Sequence, residues 1–217
     1  MHFIARAACP DCLNKYRHGR DNWETLRSNP EDVVQVRQVL DAMQEGMCAY
    51  CEAALGDAWH IEHFWPKEAS GGQHRRKTFD WHNLFGSCNR KHTCGTHKDE
   101  DGKPYNPVDV IDPCRENPDN FLFFAQDGTV QPIVGLANPA LRRAQETIRV
   151  FNLNAPVLRQ QRAQVVRTLL NSEPDVVEIL AQCVPDERWA WVQDLLGDYC
   201  NGGFMTPIRH LLCIGAP

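Results

Sequence analysis

Two short-spaced cysteine pairs, Cys48-Ala-Tyr-Cys51 and Cys88 with Cys94, lie 36 residues apart in a chain of 217 residues. Zn²⁺ takes four soft ligands in a tetrahedron, so this pattern points to one structural zinc held by Cys48, Cys51, Cys88 and Cys94. The second pair is separated by five residues rather than the usual roughly two to four, and a buried thiol is also an ordinary core residue. A third pair, Cys9-Pro-Asp-Cys12, is left for a second zinc or for no ligand at all. Paired cysteines in a chain with no export signal fit a reducing, cytoplasmic setting better than a disulfide framework.

Around these pairs run His60-Ile-Glu62-His63-Phe-Trp-Pro66-Lys67, then Asp80-Trp-His82-Asn83-Leu84, then Gly95-Thr-His97-Lys98. Their order resembles the HNH nuclease motif, in which a hairpin strand, a loop and a helix surround one divalent cation and paired cysteines often knit the unit together. The resemblance implies Glu62 as a ligand of the catalytic cation, His63 as general base, Asn83 as the residue that orients His63, and a His or Asn from the helix as second ligand. The helix slot holds Gly95, so His97, two positions on, is expected to serve instead. His60 and Lys98 stand as accessory residues.

The chemistry agrees with these assignments. Phosphodiester hydrolysis needs a nucleophilic water, a base of near-neutral pKa and a hard cation to offset charge on the leaving oxygen. An imidazole such as His63 supplies the base. A carboxylate plus an imidazole leaves positions for water and phosphate oxygens, which suits Mg²⁺ or Mn²⁺. Neighbours on a regular strand point to opposite faces, so a bend at the strand end, compatible with Pro66, is expected to bring Glu62 and His63 to one site. Plainer readings stand beside these: His60 as a supporting or surface histidine, His74, His82 and His92 as solvated side chains, and Asn83 as a turn or cap residue.

The net charge of −5 argues against nucleic-acid binding over the whole surface. The window His60 to Lys98 differs: it carries a net +4 and six of the nine histidines, leaving −9 for the rest of the chain. Within it, Arg75-Arg76-Lys77 beside Gly71-Gly72 reads either as a solvated loop or as a phosphate contact.

Three regions must position this chemistry: an N-terminal helical segment (1–46), a metal-dependent ββα core (47–112), and a hairpin plus helical lobe (113–217). Hydrophobic residues at 42% and charged residues at 24% exclude a disordered, collagenous or coiled-coil chain, and no apolar run suits a membrane span. Asn29-Pro30, Glu31 and Asp32 open a helix with Val33, Val36, Val39, Leu40 and Met43 on its apolar face and Gly46 as stop. Asp127-Gly128 marks a hairpin turn flanked by Phe121, Phe123, Val130 and Ile133. Helices are then predicted from Asn138-Pro139, with Leu141, Ile148 and Phe151, and from Asn154-Ala155-Pro156, with Leu158, Val165 and Leu169. A further one carries Trp189, Val192, Leu195 and Leu196, and Thr206-Pro207 opens the last. The helix and hairpin signals give a mainly α fold class with one additional short hairpin, and the HNH resemblance implies a small ββα-metal nuclease core within it.

The likeness extends further. Cys48 to Glu52, Ile61 to Lys67, Trp81 to Cys88 and Cys94 to Asp99, followed by Asn117-Pro118-Asp119, Ala144 to Asn154 and Leu158 to Arg162, resemble the HNH component of bacterial Septu-type anti-phage systems, a family also found as retron effectors. This implies a DNA endonuclease acting in anti-phage defence, cytoplasmic and bacterial, with an ABC- or AAA-like ATPase subunit as partner. An acidic, helix-rich lobe is easily read as the docking surface, or as a buttress. Two other classes compete: a non-catalytic zinc-ribbon or zinc-finger module, which leaves Glu62, His63 and Asn83 unused, and a redox protein built on Cys9 and Cys12, which lacks the expected βαβ surroundings.

Overall fold

In the computed structural model, which describes residues 1–66, 77–100, 104–199 and 203–213, α1 (Trp23–Arg27) and α2 (Pro30–Met43) pack on each other ahead of the cysteine-rich region. Pro30 opens α2, Val36 and Leu40 are fully buried, and Gly46 terminates the segment with φ of +70°. Asn29 does not cap the helix; its side-chain amide donates to Tyr16 Oη at 3.3 Å.

Strands β1 (Trp59–His63) and β2 (Leu84–Cys88) form an antiparallel pair in the register Trp59↔Cys88 to His63↔Leu84, and α3 (Cys94–Lys98) packs on β2. Every residue of β2 is buried, with α2 and α3 both packed against it. Its outer backbone groups are satisfied by side chain and loop: Gly86 N–H donates to Gln44 Oε1 (2.7 Å), and Gly86 O accepts from Gln44 Nε2 (3.0 Å) and Ala49 N (3.1 Å). Buried backbone groups left unpaired would each be destabilising, so the fully buried strand is held without a third strand.

A second hairpin, β3 (Leu122–Phe124) with β4 (Val130–Pro132), closes at Asp127-Gly128. Its core face is Leu122, Phe124 and Val130, so Phe121 and Phe123, expected to flank the turn as core, fall on the half-buried side. Helices α4 (Ala140–Val150), α5 (Pro156–Ser172), α6 (Val176–Gln182), α7 (Pro185–Tyr199) and α8 (Met205–Cys213) complete a mainly helical chain, α6 being one that no sequence signal predicted. One buried cluster runs from Met1 to Leu158 and takes in Phe204; a second, from Val166 to Leu212, lies among α5 to α8. Trp189 was expected on the apolar face of α7, but it is 50% exposed while Val192, Leu195 and Leu196 are buried. Among the described residues no helix is long and apolar enough to cross a membrane. Lys67, Gly71, Gly72, His74, Arg75 and Arg76 lie outside the described residues.

Candidate functional site

The four predicted cysteines converge. Cys48 and Cys51 sit in the turn before β1, Cys88 ends β2 and Cys94 opens α3, and their Sγ atoms all lie within 4.8 Å of one another with no side chain more than 3% exposed. Zinc–thiolate bonds of about 2.3 Å in a tetrahedron put sulfurs about 3.8 Å apart. Cys51 Sγ and Cys88 Sγ are 3.8 Å apart, so donor type and spacing both fit Zn²⁺. Backbone N–H groups of Cys88 and Ala53 point at Cys48 Sγ (3.4 Å) and Cys51 Sγ (3.5 Å), as thiolates require. Burial pushes the Cys94 thiol up; it opposes ionisation of Cys48 too, but thiols of Cys51, Cys88 and Cys94 donating to that sulfur hold it well below the usual thiol range.

The five-residue spacing of the second pair has a local cause. His92 (φ +58°) and Cys94 (φ +51°) take left-handed conformations in a loop closed by Thr93 N to Arg90 O (3.3 Å) and anchored by Cys94 N to Phe151 O (2.9 Å). Glu52, next to Cys51, accepts from Thr206 N (2.9 Å) and pairs with the Met1 amine (2.6 Å), tying the cysteine turn to α8.

The β1 ladder is regular from Trp59 to His63, so the bend expected at Glu62 is absent and Glu62 and His63 leave the strand on opposite faces. Glu62 turns with His60 toward α3. It is 2% exposed, its Oε1 is 2.7 Å from Lys98 Nζ and its Oε2 is 3.0 Å from His60 Nε2. Burial pushes the Glu62 carboxyl up, but Lys98 and His60 outweigh it and hold it at about 2. Burial likewise lowers His60, but the carboxylate raises it overall. Lys98 is itself buried and raised by Glu62, Tyr105 and Asp99 against the opposing effect of burial, so an ionised pair is the resident state.

His63 faces α1. Its ring meets Trp23 edge-on at 4.3 Å, and its Nε2 lies 3.0 Å from the Thr78 carbonyl. A carbonyl only accepts, so Nε2 carries the proton and the basic lone pair of the neutral ring is on Nδ1. Asn83, expected to orient His63, binds backbone groups of Trp65 and Lys77. Its Oδ1 accepts from Trp65 N (2.6 Å), and its Nδ2 donates to Trp65 O (3.1 Å) and Lys77 O (3.0 Å), one residue before the Thr78 carbonyl that holds His63. Trp23, Arg27, Arg37 and Trp59, together with His60 and Ile61, border a cleft of about 360 Å³.

His97, expected as second ligand, donates from Nδ1 to Val150 O (2.9 Å) at the end of α4; the imidazole that reaches Glu62 is that of His60. His92 pairs with Glu100 on the surface, in keeping with its plainer reading. Sequence reasoning missed Asn89, whose Oδ1 accepts from His60 Nδ1 at 2.7 Å, and the packing role of Gly95. The alternation of β1 placed His60 and Glu62 on one face and could have paired them; Asn89 carries no motif signal. No protein-family model matches the chain, and no curated protein matches it.

Proposed function

We propose that the chain is a metal-dependent endonuclease of the HNH type that hydrolyses phosphodiester bonds of DNA, and that it works as the effector of an anti-phage complex with an ATPase subunit. One observation carries this reading: the order β1, β2, α3 meets around Glu62, a buried ionised carboxylate with an imidazole at 3.0 Å, beside a four-cysteine cluster. Burying a carboxylate and a lysine so that both stay charged is expensive, and the pair offers nothing that an apolar packing would not, so a functional demand is the simplest reason for it.

Glu62 supplies an oxygen ligand for Mg²⁺ or Mn²⁺, and a cation bound there would offset charge on the departing oxygen. His63 takes the proton of the attacking water, with the Thr78 carbonyl orienting its ring and Asn83 holding the backbone of Trp65 and Lys77. Arg27 and Arg37 border the cleft that His60 also lines and suit phosphate contacts. For carboxylate and base to act on one phosphate, the end of β1 must bend when substrate binds. Loss of Mg²⁺- or Mn²⁺-dependent plasmid cleavage in Glu62→Ala, with zinc retained, tests the assignment.

The opposite facing of Glu62 and His63 favours a second reading, a non-catalytic zinc-binding module, which predicts no cleavage under any condition. DNA as substrate rests on the family resemblance, as does the ATPase. Exposed Trp189, Trp191, Ile179 and Val184 on and around α6 and α7 supply apolar anchors for such a partner, in a stretch, 173–199, that holds seven acids and one arginine.

A further inference from the structure

We infer that His60, not His97, joins Glu62 in holding the divalent cation, where Gly95 lets the two side chains close against α3. The inference deepens the nuclease reading and rests on it.

Three observations on this side of the sheet agree. First, His60 gives its Nδ1 proton to Asn89 Oδ1 at 2.7 Å, the outer bond that fixes a metal-ligating imidazole in one tautomer and orientation. The remaining ring nitrogen, Nε2, then faces Glu62 Oε2 at 3.0 Å. Two lone-pair atoms this close need a cation between them, either a proton or a metal. A coordination octahedron with bonds of about 2.1 Å has edges of about 3.0 Å, so the pair already stands at the spacing of two adjacent ligands.

Second, Gly95 lets that pair close against α3. A Cβ there would overlap the Glu62 carboxylate, standing 2.7 Å from its Cδ and 2.9 Å from His60 Nε2. Gly95 is helical with no positive φ, so the backbone does not demand glycine; the side chains opposite it do. The residue type that seemed a missing ligand is therefore the one that makes room for a ligand from β1.

Third, Lys98 occupies Glu62 Oε1 at 2.7 Å and leaves Oε2 as the single oxygen turned to His60. One carboxylate oxygen and one imidazole, the latter 30% exposed, leave the other positions of a six-coordinate cation to water and phosphate oxygens.

The test uses the full chain carrying zinc in its four-cysteine site, Mn²⁺ alone as probe and no nucleic acid. Mn²⁺ affinity is measured by calorimetry, and nitrogen ligation by the ¹⁴N coupling in the electron spin-echo spectrum. Wild type is expected to bind one Mn²⁺ with an imidazole coupling. His60→Gln should lose the coupling and weaken binding by at least about 10-fold, Asn89→Ala should weaken it by about 10- to 100-fold, and His97→Gln should change neither. Zinc content and thermal midpoint certify the fold of each variant. If His60→Gln does not fold, Gly95→Ala, which keeps His60 but pushes its ring and the Glu62 carboxylate apart, should lose Mn²⁺ binding. A coupling that survives His60→Gln, or that disappears in His97→Gln instead, overturns the inference and leaves the nuclease reading standing. Wild type that cleaves DNA without binding Mn²⁺ in this way overturns it too; wild type that neither binds Mn²⁺ nor cleaves overturns both.

Discussion

Removing zinc should unfold the region built on Cys48, Cys51, Cys88 and Cys94 rather than loosen it. The four sulfurs come from three separate pieces of chain, the turn before β1, the end of β2 and the start of α3, and all are at most 3% exposed. Structural zinc contributes about 10–16 kcal/mol of apparent binding free energy at neutral pH, whereas a domain's whole stability is about 5–15 kcal/mol. Metal loss is therefore of the same size as the whole folding stability, and the β1–β2–α3 unit has only a five-residue helix and two five-residue strands of its own to resist it. Zinc should be withdrawn with a strong chelator under reducing conditions, release followed colorimetrically, and tertiary structure followed by near-ultraviolet circular dichroism. Trp59 and Trp81, both buried in the first core cluster, report directly on that region. The expected outcome is loss of the aromatic signal in step with zinc release, with part of the helical signal retained by α5 to α8. Acidification acts in the same direction, because protons compete with zinc for the thiolates. A zinc-free chain that keeps its aromatic signal and a cooperative thermal transition would refute the reasoning.

Gly128 has φ of +81° and a Cβ there would lie 2.8 Å from the Arg159 carbonyl carbon, backbone that cannot swing aside, so Gly128→Ala should cost at least about 1–3 kcal/mol in urea unfolding. Burial pushes the Asp119 carboxyl up, but His210 and Arg209 hold it well below its ordinary range. A carboxyl depressed by folding stabilises above its unfolded pKa of about 3.9 and loses that contribution as pH falls. Asp119→Asn should thus flatten the acid limb of the stability curve below about pH 4, measured by urea midpoints from pH 3 to pH 6. Trp189→Ser with Trp191→Ser should abolish copurification with the ATPase subunit while leaving the thermal midpoint within a few degrees, since both rings are about half exposed. Removing residues 138–217 is not an equivalent test, because Ala144, Val150, Phe151 and Leu158 belong to the same core cluster as β1 and β2.

The residues that carry local, spaced chemistry were readable. Cysteine spacing located the metal cluster, Pro30 located α2, and turn chemistry at Asp127-Gly128 located the second hairpin. What escaped was set by packing. The parity of β3 follows from Leu122 and Phe124 meeting the core, which a run of four apolar residues, Phe121 to Phe124, does not disclose. Trp189 lies just off the buried stripe of α7, a rotation too small for periodicity to fix. Most informative is Gly95: judged by its slot it is a vacancy, but judged by the side chains across from it, it is the residue that lets His60 and Glu62 share one space.

The central claim is that this chain cuts DNA with His63 as base. Plasmid cleavage by the purified chain, with Mg²⁺ or Mn²⁺ and with the proposed ATPase partner, should be compared with that of His63→Ala at equal zinc content. The account predicts metal-dependent cleavage that falls by about 10²- to 10⁴-fold in the variant while its fold and zinc survive. Unchanged turnover in His63→Ala, or no cleavage by the wild-type complex in either metal, would contradict it.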